Sequence, residues 1–112
     1  MDRTDVFDPA GKGCSQEAWE KLPSAFRLFV QSVQMRIQCE VEKKNPGEFR
    51  PTSGFRSIAG NFLVGGKPHS RHLCGCARDF VCLAGGLGDH TPLVGDGFRV
   101  FRSNGCWHVE VI

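Results

Sequence analysis

The residues best suited to carry chemistry are two side chains that lie seven positions apart in this 112-residue chain. His72 precedes Gly75 and a strand-like segment that contains Asp79. A histidine on a loop and a carboxylate on the following strand can converge on one cation. His108, near the end of the chain, is the natural candidate for a third ligand. Two histidines and one carboxylate, with a fourth position left to water, are typical of a catalytic zinc site.

The last seven residues alternate as a β-strand with one buried face does. One face is apolar and should pack in the core; it consists of Trp107, Val109 and Val111. The other face carries His108 and Glu110, so both side chains should point into the same cleft, with Cβ atoms roughly 7 Å apart. A carboxylate at that distance from a metal ligand can accept a proton from water. The alternation therefore predicts Glu110 as a general base.

Helices are predicted ahead of these residues. Residues 1–14 are polar and should form an irregular arm before a single domain of residues 15–112. Ser15 is a suitable N-cap for a first helix, which Pro23 interrupts. A longer helix is predicted over 24–44, because apolar residues recur there at spacings of three and four. This stripe, expected in the core, consists of Phe26, Val30, Val33, Ile37 and Val41.

Short elements punctuated by glycine follow the helices. A strand is predicted over 49–52, at an edge or a bend because of Pro51, and a short helix is predicted over 57–64. Residues 83–96 are glycine-rich and should form a loop. Further strands are predicted over 77–82, 98–101 and 106–112, the last two joined by a turn at 103–105. Helices followed by a small antiparallel sheet indicate the α+β class, with the N-terminal helices packed on the sheet.

Composition and charge exclude several classes of protein. Hydrophobic residues make up 40% and charged residues 23%, which excludes a mostly disordered chain. The net charge of +2, with scattered basic residues, is too weak to indicate nucleic-acid binding. No apolar run approaches the ~20 residues that cross a bilayer, so membrane insertion is not expected. The N-terminus lacks the features of a secretory signal, so we expect synthesis in the cytoplasm.

The cysteines are the least specific of the reactive residues. Without a secretory signal, they are expected to be free thiols or metal ligands rather than disulfides. The Cys74-x-Cys76 pair would need two more thiols from neighbouring strands to complete a structural zinc site. The six are Cys14, Cys39, Cys74, Cys76, Cys82 and Cys106.

Several motifs occur in the order found in the zinc D-Ala-D-Ala carboxypeptidase family. They are Thr52-Ser53-Gly54-Phe55-Arg56-Ser57, Asn61, Val64-Gly65-Gly66, Ser70-x-His72-x-x-Gly75-x-Ala77-x-Asp79, Gly95-Asp96-Gly97-Phe98 and Trp107-His108-Val109-Glu110. Residues 52–112 therefore resemble this family, and in particular its branch of small bacterial and phage peptidoglycan peptidases. The resemblance implies the hedgehog/DD-peptidase fold.

The same resemblance implies roles for individual residues. It implies one zinc ion held by His72, Asp79 and His108. Arg56 corresponds to the arginine that polarises the scissile carbonyl or stabilises the anionic intermediate, because hydrolysis places negative charge on that oxygen. Ser70 corresponds to a serine that orients the first ligand from the second shell.

This sequence also departs from the family. Many members carry the catalytic acid three residues before the last histidine, where this chain has Gly105. Glu110 is our substitute for that acid, with Asp96 as the alternative. Members often have a helix between the metal-binding strand and the closing hairpin, and residues 83–95 are too short and glycine-rich for one.

Residues that flank the motif have simpler explanations than catalysis. His69 and His90 are expected to be exposed loop histidines. Arg71 and Arg78 are expected to be solvated, with attraction of an anionic peptide terminus as the alternative. Trp107 is expected in the core, because it alternates with His108.

The implied function is hydrolysis of peptidoglycan stem peptides or cross-links by a zinc metallopeptidase, either a carboxypeptidase or an endopeptidase. A phage lysis enzyme that reaches the cell wall through a separate pore fits the expected localisation. Two alternatives stay open. Gly105 allows a zinc-containing recognition module on the same fold that has lost catalysis. The cysteines allow a small structural domain whose zinc is bound by thiolates.

Overall fold

The elements of the chain follow one another as helices, then a small sheet. A computed structural model describes residues 6, 13–85, 94–103 and 105–112. Its elements are α1 (Gln16–Glu20), α2 (Ser24–Lys44), β1 (Phe49–Ser53), α3 (Ile58–Leu63), a 3-10 turn (Arg71–Cys74), β2 (Ala77–Cys82), β3 (Phe98–Ser103) and β4 (Cys106–Val111). The predicted α+β class is therefore confirmed.

The four strands form one antiparallel sheet in the order β1-β2-β4-β3. β1 lies at an edge of the sheet and pairs with β2 alone. An edge strand tolerates Pro51, which has no backbone N–H to donate to a second neighbouring strand. β2 and β4 are the central strands, and their register sets Asp79 directly opposite His108. Residues that are 29 positions apart in the chain are thus neighbours on the same face of the sheet.

α2 packs on the other face of the sheet. Its predicted apolar stripe meets the core through Ile37 and Val41, which are both at most 2% exposed. Their partners in the core cluster are Phe49, Phe80, Val94, Trp107 and Val109. Trp107 is therefore a core residue, as predicted, and the face that carries Asp79 and His108 is left for a cleft.

A second apolar cluster lies at the N-terminal half of α2. It joins Val30 and Phe55 to Trp19 of α1. Val6 and Cys14, from the predicted irregular arm, are also buried in it. The division into an arm of residues 1–14 and a domain of residues 15–112 stays a prediction.

Most boundaries agree with the sequence-based expectations to within two residues. The closing hairpin is more extensive than predicted, because β3 continues to Ser103. Within the loop predicted at 83–96, residues 86–93, and with them His90, lie outside the described residues. Among the helices that the structure describes, none combines the length and apolarity needed to cross a membrane.

Candidate metal centre

The three predicted ligands come from three elements that local sequence features hold in place. His72 lies in the 3-10 turn, which Ser70 caps by accepting a hydrogen bond from the His72 backbone N–H at 3.2 Å. The turn ends at Gly75, in the left-handed conformation (φ 74°), which costs a glycine little. Asp79 lies on β2 and His108 opposite it on β4. Ser70 therefore acts on the backbone of the first ligand.

The ligand atoms of these residues converge on one point. His72 Nε2 and His108 Nδ1 each lie 3.2 Å from Asp79 Oδ1. All three ligand atoms are within 4.8 Å of one another, and the three residues are buried. Ligands of a tetrahedral zinc with bonds near 2.0–2.1 Å lie roughly 3.3 Å apart. The spacing and the two nitrogens and one oxygen therefore fit zinc.

The outward-facing nitrogen of each imidazole determines which nitrogen carries the proton. His72 Nδ1 donates to the carbonyl oxygen of Gly54 at 2.7 Å, and His108 Nε2 donates to Glu110 Oε1 at 2.8 Å. Because these partners only accept, the lone pairs of the neutral rings point at the Asp79 carboxylate. Two lone pairs and an anionic oxygen repel one another unless a cation lies between them. Such outer hydrogen bonds are typical of metal-binding histidines.

The charges of the centre favour an ionised carboxylate. Burial opposes the ionisation of Asp79, but its contacts with His108 and His72 outweigh burial and lower the pKa of Asp79 to about 2. Burial also opposes the charged form of His108, yet the hydrogen bonds to Asp79 and Glu110 raise its pKa. Without metal, these interactions therefore favour the protonated form of His108 beside the Asp79 carboxylate.

Arg56 borders the centre on the side of β1 and α3. Its Nη2 lies 3.4 Å from Asp79 Oδ2, the oxygen that does not face the histidines. Its Nε donates to Ser53 Oγ, and its Nη1 donates to Asn61 Oδ1, both at 3.2 Å. The guanidinium lines the cleft with its orientation fixed on three sides. Arg56 therefore lies beside Asp79, one of the three predicted ligands.

Glu110 lines the cleft next to His108, at the ring nitrogen that faces away from Asp79, whereas Asp96 is not among the residues that line the cleft. The Glu110 carboxylate contacts His108 through Oε1 and Arg99 Nη2 through Oε2, the latter at 2.9 Å. Arg71 Nε is 3.7 Å from the same Oε2. Burial opposes ionisation of this carboxyl, but Arg99 and His108 lower its pKa. Arg99 was missed from the sequence because its contact depends on the β3–β4 register.

A buried polar network beneath the centre also escaped the sequence analysis. Gln34 of α2 donates to the carbonyl oxygens of Gly75 and Ala77 at 2.7 and 2.8 Å. Its Oε1 accepts from Arg78 Nη1 at 3.1 Å, and Arg78 Nε donates to Gln38 at 2.9 Å. The prediction that Arg78 is solvated was wrong, because Arg78 alternates with Asp79 on β2 and therefore faces α2. The sequence did offer one signal for this network, because Gln34 lies within the apolar stripe of α2 and a buried amide needs polar partners.

The centre lies in a cleft of about 840 Å³. The 3-10 turn and the residues before it form one side, and β3 and β4 form the other. Lys67 and Arg71 add positive charge along the first side. His69 is exposed, as predicted. This positive charge favours a ligand that carries an anionic group.

The cysteines are free thiols and do not form a metal site among the described residues. Burial, followed by a hydrogen bond and charge interaction with Cys74, raises the pKa of Cys76 to about 11. Among the described residues, neither thiol belongs to a group of three or more candidate ligands, so the pair lacks the further ligands that a structural zinc site needs. The structure thus supports imidazole and carboxylate ligands over thiolates.

Comparison with known proteins agrees with the geometry. A family model described as Peptidase M15 matches residues 12–88, which include Arg56, Ser70, His72 and Asp79. His108 and Glu110 lie beyond the matched range, and the sheet register brings them to the site. Searches of curated proteins and of solved structures find no match. The match covers more than half of the chain and confirms the resemblance seen in the motifs. The chain belongs to the Peptidase M15 family of metallopeptidases.

Proposed function

We propose that this protein is a zinc-dependent metallopeptidase that hydrolyses peptide bonds in peptidoglycan stem peptides or cross-links. The observation that carries the proposal is the convergence of His72 Nε2, Asp79 Oδ1 and His108 Nδ1 in a chain of the Peptidase M15 family. Peptidases of this family act on peptidoglycan peptides. These three atoms would hold the metal, and both histidines already have acceptors for their other nitrogens.

When bound, zinc supplies Lewis acidity, which polarises a carbonyl group and makes a water molecule more acidic. The remaining steps belong to side chains of the cleft. Arg56 would donate to the scissile carbonyl oxygen as negative charge develops there. Ser53 and Asn61 hold the guanidinium in place before the substrate arrives, so little reorganisation is needed.

Glu110 would accept the proton of the attacking water and return it to the leaving amine. Its carboxylate lines the cleft, and its lowered pKa keeps it ionised at neutral pH, as a proton acceptor must be. The hydrogen bond from His108 adds a second role, because it also orients the ligand. Substitution by glutamine separates the two roles, since an amide oxygen still accepts from His108 but cannot take up a proton at neutral pH.

The test is zinc content together with release of amines from purified peptidoglycan. Wild type should contain one zinc and release amines, and mass spectra of the products should show either a terminal residue or an internal cut. His72→Ala should lose both zinc and activity. Glu110→Gln should keep zinc and lose activity by roughly 100-fold or more. His69→Ala, which removes an exposed histidine of the same cleft, is the control and should keep its zinc. Zinc that survives His72→Ala would contradict the assigned site.

A second candidate function is a recognition module that binds zinc without hydrolysis. The observation in its favour is Gly105, at the position where many family members carry an acid. It predicts zinc in wild type, no amine release from any wall preparation, and peptidoglycan binding that Glu110→Gln leaves unchanged. Synthesis in the cytoplasm, action on the cell wall and a role in phage lysis stay predictions from the sequence.

A further inference from the structure

One aromatic side chain on the cleft face of the sheet has no role in the site as described so far. Phe101 of β3 lies directly across from His108 in the strand register. Its ring stacks on the imidazole, with the centroids 4.6 Å apart and the planes inclined by 27°. Its side chain remains 42% exposed and lines the cleft. An apolar ring is therefore held open to solvent beside a metal ligand.

Core packing does not explain this placement. The apolar side chains of β3 that pack against the core are Phe98 and Val100. Phe101 points to the opposite face, which it shares with Arg99, because side chains alternate along a strand. At this position a phenylalanine stacks on the imidazole of His108, and a polar side chain would not make this contact.

The orientation of the His108 ring depends on a small number of contacts. Asp79 lies at Nδ1 and Glu110 at Nε2, so both polar contacts act in the plane of the ring. His72 meets the imidazole edge to face, with centroids 5.0 Å apart and planes at 79°. Phe101 covers a face of the ring, and a parallel contact resists the rotation that would swing Nδ1 away from Asp79.

We propose that Phe101 is a positioning residue for the metal ligand His108, which holds the imidazole with Nδ1 aimed at the metal position and shields that edge of the centre from water. The proposal rests on metal binding at the centre, as the proposed function does, but not on the identity of the substrate. A flat aromatic ring is the required feature. Tyrosine should therefore replace phenylalanine, whereas leucine, which is apolar but lacks a flat face, should not.

The experiment compares metal binding by wild type, Phe101→Tyr, Phe101→Leu and Phe101→Ala. Zinc affinity is measured by competition with a chromophoric chelator, and the visible absorption of the cobalt-substituted protein reports the ligand geometry. We expect Phe101→Leu and Phe101→Ala to bind zinc roughly 3- to 10-fold more weakly and to change the cobalt spectrum. Phe101→Tyr should match wild type in both measurements. Phe29→Ala, which removes a half-exposed phenylalanine of α2 that does not line the cleft, should do the same.

Activity on peptidoglycan separates this inference from the proposed function. Weaker zinc binding with a fall in kcat larger than the change in KM supports both. Weaker zinc binding and an altered cobalt spectrum without amine release from any variant support the role of Phe101 and contradict the peptidase. Unchanged affinity and spectrum in Phe101→Leu and Phe101→Ala, or an equal loss in Phe29→Ala, overturn the inference. A wild-type protein that binds neither metal overturns both.

Discussion

The two histidines of the centre differ in the groups that hold their outer nitrogens. His72 donates to a backbone carbonyl, that of Gly54, whereas His108 donates to the carboxylate of Glu110. A carbonyl cannot lose its acceptor capacity by protonation, but a carboxylate can. The hydrogen bond that holds His108 is therefore more sensitive to pH than the one that holds His72. As a result, the stability of the metal-free protein should depend on pH.

Metal-free protein should be most stable between about pH 4.5 and 6.5. The pKa values of Asp79 and Glu110 are lowered by folding, so their contribution to stability is present above about pH 4.5 and is lost as pH falls through the folded values. The pKa of His108 is raised, so its contribution is present below about pH 6.5 and is lost as pH rises through its folded value. Urea unfolding of chelator-treated protein across this range is the measurement.

A variant without the imidazole serves as the control for this pH dependence. His108→Gln should flatten the decline of stability on the alkaline side, since the titrating imidazole is gone. A metal-free wild type whose free energy of unfolding rises from pH 5.5 to 8 would contradict the prediction.

Gly75, which ends the turn that carries His72, is sensitive to a single added methyl group. At its φ of 74°, a Cβ would lie 2.8 and 2.9 Å from the methyl carbons of Val30 in α2. Gly75→Ala should therefore cost the ~1–2 kcal/mol of the left-handed conformation and a further penalty for the overlap. Gly47→Ala is the matched control, because Gly47 has a φ of 70° but open space around it. Equal urea midpoints for the two variants would show that the contact with Val30 imposes no constraint.

At the scale of elements, α2 supports the candidate metal centre through Gln34. Its side chain joins the helix to the carbonyl oxygens of Gly75 and Ala77, which lie between the first two ligands. Gln34→Leu removes these hydrogen bonds and leaves buried polar groups of the loop and of Arg78 with fewer partners. We expect a loss of about 3 kcal/mol in the free energy of unfolding, together with weaker zinc binding.

Gln31→Leu provides the comparison for Gln34→Leu, because it makes the same exchange at a half-buried position of the same helix. It should change the free energy of unfolding by about 0.5 kcal/mol or less. If both variants unfold at the same urea concentration, the network contributes nothing specific to stability.

The sequence predicted those features of the site that arise from local periodicity. Alternation along the last strand placed His108 and Glu110 on one face and Trp107 on the other, and the structure has the same arrangement. The stripe on α2 predicted its core-facing side. Such patterns repeat every two residues in a strand and every three or four in a helix, so a short segment is enough to determine them.

The features that escaped prediction depend on which strands pair and in what register. Arg99 and Phe101 reach the centre because β3 pairs with β4 in the observed register. A shift of one residue in this register would turn both side chains towards the core. Arg78 was wrongly predicted to be solvated, because the alternation of side chains along β2 does not show which face of the sheet α2 covers. These contacts join residues that are 7 to 44 positions apart, and no local pattern encodes them.

At the scale of the whole molecule, the sheet supports the candidate metal centre. The central strands bring together ligands from distant parts of the chain, and α2 and the apolar clusters cover the opposite face. The cleft therefore opens on a face whose buried polar groups are already bonded to one another. Metal binding should add to a scaffold that is folded beforehand, rather than create the fold.

The most direct test of the account is zinc-edge X-ray absorption of the wild-type protein loaded with one equivalent of zinc. We expect a first shell of nitrogen and oxygen atoms at about 2.0–2.1 Å, with the outer scattering of two imidazole rings. His108→Ala should lower the imidazole count to one. A sulfur atom at about 2.3 Å, or a wild-type spectrum without imidazole scattering, would contradict a centre built from His72, Asp79 and His108.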